Sequence, residues 1–135
     1  MATAATLYEA RNRGDLAAVS ALLDASVTYH DRAQPLTMRG RAEVMAFLRR
    51  SHEAIPDLTF EVITSLDSAD HFAAEIVMRG TQNIDLPGIG RAGSRIELAY
   101  AVVGDRQHGR ITRLVEYYNA AELTAGAQDK PVAVH

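Results

Sequence analysis

The chain reads as an α+β fold, with three N-terminal helices packed on one face of a curved, mostly antiparallel sheet. Two observations predict it. Helix-spaced apolar residues dominate the chain up to Pro56-Asp57, and long β-rich runs bounded by turn residues dominate after it. The 135 residues are also the length of one domain, long enough to bury a core although the chain contains no cysteine. The expected unit is a single domain over residues 1–123, followed by a flexible tail over 124–135 that is rich in small and polar residues.

The elements are expected in the following order. Thr6 to Arg13 forms a helix that Gly14 stops, because glycine accepts the left-handed conformation at a helix end. Asp15 caps a second helix whose Leu16, Val19, Leu22 and Leu23 make one buried stripe, extending through Asp24. Val27 to Asp31 is a short strand ended by Ala33-Gln34-Pro35, with Tyr29 and Asp31 on one face and His30 on the other. A third helix follows Gly40, shows Val44, Phe47 and Leu48, and closes at Pro56-Asp57. The remainder is a four-strand meander: Leu58 to Leu66, His71 to Thr81, Arg95 to Val103, and a last strand after the turn Gly104–Gly109. The Gly/Pro-rich segment Leu86 to Gly93 reads as a mobile lid.

Composition removes several function classes. The net charge is −3, with acids and bases interspersed, which is no footprint for nucleic acid or an anionic membrane surface. No apolar run reaches the roughly 20 residues of a membrane span. The start, Met1 to Thr6, shows no basic region leading into an apolar one, so a cytoplasmic location is expected. Metal-ligand, phosphate-loop and dinucleotide motifs are absent, and no metal or cofactor is expected.

The last strand concentrates the chemistry. Alternation puts Leu114, Glu116 and Tyr118 on one side and Arg113, Val115 and Tyr117 on the other. A carboxylate on the apolar side of a sheet is costly unless paired, hydrogen-bonded or protonated, so the side on which Glu116 lies decides the function. A turn role for Asp31 competes with a catalytic one, and a surface ion pair to Arg95 or Arg113 competes for Glu116.

Gly14-Asp15-Leu16, Val27-Thr28-Tyr29-His30-Asp31, Ile55-Pro56-Asp57-Leu58, Arg79-Gly80-Thr81 and Gly109-Arg110-Ile111 leading to Glu116-Tyr117-Tyr118 together resemble the nuclear transport factor 2-like superfamily. Within it they are most similar to the SnoaL-like polyketide cyclases, ketosteroid isomerases and limonene epoxide hydrolases. The resemblance implies a cone-shaped α+β barrel whose concave face lines a deep, apolar pocket. It also implies catalytic roles for Glu116, Asp31 and Tyr100, with Tyr29, Ile76, Met78, Leu114 and Tyr118 against the substrate. Leu7 stands where isomerases keep an oxyanion-hole tyrosine, with the adjacent Tyr8 expected to point elsewhere. Ile76 and Met78 stand where epoxide hydrolases keep an Arg and an Asp, which leaves that water-activating set incomplete.

The function so implied is a cofactor-independent acid/base enzyme, cyclase-like or isomerase-like, acting on a hydrophobic carbonyl compound. Epoxide opening of the limonene-hydrolase kind and a non-catalytic binding or assembly module are the alternatives. A homodimer is expected through the outer face of the sheet, where apolar residues such as Val77 and Val115 would otherwise be wet.

Overall fold

A computed structural model describes residues 2–86 and 90–122. Three helices, α1 (Thr3–Asn12), α2 (Leu16–Leu22) and α3 (Arg41–Ala54), pack against six strands: β1 (Leu23–Asp31), β2 (Leu36–Arg39), β3 (Thr59–Asp67), β4 (His71–Thr81), β5 (Arg95–Gln107) and β6 (Arg110–Tyr117). The strands form one sheet in the order β2-β1-β6-β5-β4-β3. Neighbours are antiparallel except β1 and β6, which run parallel. The sheet is open, with β2 and β3 at its edges, so the expected barrel is corrected to a curved, unclosed sheet. The expected four-strand meander is likewise the β3-β4-β5-β6 part of a larger mixed sheet.

Local chemistry accounts for the boundaries. Gly14 takes φ +67° and its amide bonds to Arg11 O, which ends α1 as expected. Asp15 caps α2 by accepting from the Ala18 amide at 3.0 Å. That helix is shorter than its leucine spacing implied: Leu23, fully buried, is already the first residue of β1. Apolar spacing fitted either element there. The strand β2 lies just beyond the Ala33-Gln34-Pro35 break and pairs back on β1 as a hairpin.

The turn expected from Gly104 is also corrected. Gly104 lies within β5, and a Cβ there would collide with the Phe72 ring and with Arg113 O. Glycine is present because Phe72 on the neighbouring strand crosses the backbone, and the chain turns instead at His108-Gly109, both with positive φ. Strict alternation along β5 sends Ile96, Leu98, Tyr100 and Val102 into the core, which the helices cover.

The expected tail lies outside the described residues, as do 87–89 in the middle of the expected lid. The flanks of that loop are tied together: Leu86 and Gly90 exchange backbone hydrogen bonds, and the buried Gln82 amide donates to Gly90 O at 2.9 Å. Among the described residues no helix is long and apolar enough to cross a membrane.

Candidate active site

A cavity of about 720 Å³ opens between the concave face of the sheet, α1 and α3. Its floor is Phe60, Met78, Ile96, Leu98 and Tyr100 on β3 to β5. Tyr29 and Asp31 on β1 and Glu116 and Tyr118 at the end of β6 form one wall, and Arg11, Phe47 and Ile55 come from the helical side. The lining is mostly apolar, as expected of a small-molecule site. Of the residues singled out in the sequence, Tyr29, Asp31, Met78, Tyr100, Glu116 and Tyr118 meet here. Ile76 and Leu114 do not line the cavity; both are buried in the core behind it. A second depression, lined by Leu16, Ser20, Arg41, Met45 and Arg49 among others, contains no acid.

Glu116 is the most perturbed carboxyl of the site. The parallel register of β1 and β6 sets it directly beside Asp31, with both side chains on the cavity face. Burial pushes its pKa from 4.5 up to about 7, opposed by a hydrogen bond from the Tyr29 hydroxyl and by the Arg11 charge, and reinforced by the negative charge of Asp31. Tyr29 is held in turn by packing against Phe47, ring centroids 5.4 Å apart. The alternative surface pairing does not form: Arg113 faces Asp105 at 3.7 Å, on the other side of the sheet from Glu116.

Asp31 combines both of its readings. Oδ1 accepts from the Ala33 and Gln34 amides at 3.0 and 2.9 Å, forming the turn into β2. Oδ2 accepts from the Tyr118 hydroxyl at 2.7 Å. With three donors aimed at it, this carboxyl is built as an acceptor. His30, on the opposite face, contacts Thr37 instead.

Tyr100 places its hydroxyl 2.9 Å from that of Tyr8, and both rings are buried. The expectation that Tyr8 points away is therefore corrected: it turns inward because its ring packs on Phe60 at 4.9 Å. Burial raises both phenol pKa values, so both hydroxyls stay protonated and can donate. Missed entirely in the sequence is Arg11. It lies one residue before Asn12, whose side chain clamps Phe60 by two 2.8 Å bonds, Nδ2 to Phe60 O and Phe60 N to Oδ1. That clamp sets the Arg11 guanidinium over the Phe60 ring, 4.2 Å from its centroid. A single Arg on a helix reads as solvated, and only the pairing of Asn12 with a distant strand turns it inward.

The family model for the SnoaL-like domain matches residues 4–114. The chain belongs to the SnoaL-like family. Comparison with curated proteins returns no match. Among solved structures, this SnoaL-like chain is similar to a proposed polyketide cyclase from Xanthomonas campestris at 28% identity and TM-score 0.79, covering 93% of each chain. It is also similar to a proposed polyketide cyclase from Pseudomonas putida, at 25% identity and TM-score 0.80, over 92% of this chain and 94% of that one. An epoxide hydrolase of the limonene-hydrolase type from Mycobacterium tuberculosis shares the fold alone, at 17% identity and TM-score 0.78, over 97% and 90% of the two chains. The SnoaL-like match stops at Leu114, so Glu116 and Tyr118 lie just beyond it.

Proposed function

We propose that this SnoaL-like protein is a cofactor-independent acid/base enzyme of the cyclase or isomerase kind, acting on a hydrophobic carbonyl compound held in the cavity. The observation that carries this reading is Glu116: a cavity-lining carboxyl whose pKa is raised to about 7. A group that titrates near ambient pH is both a competent base and, once protonated, a competent acid. An ordinary surface glutamate is neither.

In this mechanism Glu116 removes a proton from the carbon next to the substrate carbonyl. The enolate oxygen that forms needs a donor, and Tyr100 lines the same cavity: its hydroxyl proton, given to the Tyr8 hydroxyl in this structure, turns to the enolate oxygen as the charge develops. Asp31 holds Tyr118 in place and, through its charge, keeps Glu116 basic enough to take the proton. Glu116 then returns the proton at the new position, which completes an isomerisation. If the enolate carbon attacks a second carbonyl instead, a ring closes and Glu116 returns the proton to the new alkoxide. Tyr29, bonded to Glu116, limits how far the pKa rises.

The β4 positions supply no cation to a water-activating set, because Ile76 is in the core and Met78 is an apolar wall residue. That disfavours epoxide opening of the limonene-hydrolase kind. The discriminating experiment is turnover of aryl polyketide-like and steroid-like carbonyl compounds by wild type and Glu116→Gln. Activity that depends on Glu116 supports the proposal, and activity indifferent to it removes the proposal.

A further inference from the structure

From the geometry of Arg11 we infer that the cavity takes a ligand with an apolar, aromatic-sized body and one carboxylate, and that Arg11 is the residue that binds the carboxylate. Arg11 is 6% exposed, and its Nε is buried with no hydrogen-bond partner. Among the described residues no carboxylate lies within ion-pair distance of its guanidinium, yet the side chain lines the cavity. Burying a guanidinium is expensive unless its charge and its donors are met. The Phe60 and Tyr8 rings, 4.2 and 6.0 Å from the guanidinium carbon, meet part of the charge and none of the N–H groups.

The other neighbours do not complete the set. Glu116 is coupled to Arg11 through space, but with a pKa near 7 it is only partly ionised at neutral pH. His52 on α3 is itself held neutral by burial and by the Arg11 charge, and its Nε2 is also without a partner. What is missing at Arg11 is an acceptor carrying about one negative charge. A carboxylate offers two oxygens in the plane of the guanidinium fork and matches a single buried cation. A phosphate dianion would leave a surplus negative charge, since the other arginine at the cavity, Arg50, is exposed at its rim.

The ligand body is set by Phe60, Ile96, Leu98 and Met78, which offer only apolar surface. This inference deepens the proposed function by naming the substrate class, and it rests on the cavity being the ligand site. The proton-transfer step itself is not required for it.

The test uses calorimetric binding of two probes of equal shape, a naphthalene carboxylate and the neutral naphthalene carboxamide, at pH 6, where Glu116 is largely protonated and the probe carboxylate is ionised. Wild type should bind the carboxylate about tenfold or more tightly than the carboxamide, the step expected of one charge-assisted pair. Arg11→Met, which keeps the stem over Phe60, should abolish that preference while leaving carboxamide binding in place. Arg11→Lys, which keeps charge without the fork, should retain part of it and serves alone if the methionine variant does not fold. Equal affinities in wild type, a preference that survives Arg11→Met, or binding of neither probe overturns the inference. The two readings fail separately. Carboxamide binding without a carboxylate preference removes the anion subsite and leaves Glu116 chemistry standing. A full preference in a protein whose turnover ignores Glu116→Gln removes the acid/base step and leaves the subsite.

Discussion

Asp31 and Glu116 are direct register partners on β1 and β6, one strand spacing apart on the same face of the sheet. Parallel pairing at this one junction brings together two carboxyls that are far apart in sequence and gives them unequal surroundings. Asp31 is saturated with donors, whereas Glu116 has one phenol and a partly desolvated pocket. Such unequal surroundings fit a division of roles between two acids in which Glu116 is the one that exchanges protons. Glu116→Gln should therefore lower turnover by roughly 10²–10⁴-fold while the fold is kept. A structural role predicts the reverse, a lower melting temperature with activity per folded molecule intact. Both quantities can be read on one preparation.

The raised pKa also makes a stability prediction whose sign is fixed. The folded protein keeps a proton on Glu116 through a window, from about 4.5 to about 7, in which the unfolded chain has released it. That contribution is fully present below the lower value and is lost as pH rises through the upper one, so Glu116 destabilises the fold above neutrality. At about 1.4 kcal/mol per pKa unit the shift corresponds to ~3 kcal/mol. Glu116→Gln should be more stable than wild type by an amount of that order at pH 8, with the advantage shrinking toward zero near pH 4. Urea unfolding of both proteins across pH measures it, and a difference independent of pH would show that the carboxyl is not desolvated.

Two further variants should move Glu116 in opposite directions. Tyr29→Phe removes a hydrogen bond that favours the ionised carboxylate, so the pKa should rise. Asp31→Asn removes a negative charge that opposes ionisation, so the pKa should fall. Asparagine can still accept the Ala33 and Gln34 amides, but it turns an amide N–H toward the Tyr118 hydroxyl, so a stability loss of about 1–2 kcal/mol is expected as well. Carboxyl carbon titration by NMR, or the acidic limb of the pH–rate profile, distinguishes the two. Shifts of the same sign would mean that Asp31 and Tyr29 act on the fold and not on the Glu116 charge.

Much of this arrangement was legible in the sequence because strands report their faces. The period-two pattern by itself places Tyr29 with Asp31 and Glu116 with Tyr118, and the glycine and aspartate at 14 and 15 mark the break between the first two helices. Ambiguity entered where one signal serves two structures. Leucines at 22 and 23 fit a helix stripe or a strand start. Gly104 fits a turn as well as a strand crossed by an aromatic ring. The parallel β1–β6 pairing has no local signal at all, and it alone explains why the two acids meet. Arg11 and Tyr8 were illegible for the same reason: their direction is set by Asn12 and Phe60, 48 residues apart, and not by helix periodicity.

The outer face of the sheet supports the last prediction. Val115 is fully buried within the chain, which corrects the expectation that a monomer leaves it wet. The apolar surface that does remain includes Val103 and Tyr117, 37% and 47% exposed, with Ala99 and Ala101 alongside on β5 and the exposed Leu66 of β3 in the same cross-strand row as Val103. Ala101 and Tyr117 are register partners, as are Ala99 and the half-buried Val77, so these residues form one continuous stripe across three strands. Two copies stacked on this stripe would remove it from water, and the closed symmetry of such a contact matches the homodimer we propose. Val103→Lys puts a charge on each copy within the apolar contact and should shift sedimentation at micromolar concentration from dimer to monomer, while the cavity on the opposite face keeps its ligand affinity. A wild-type protein that sediments as a monomer, or a Val103→Lys variant that remains dimeric, would place the stripe outside any interface.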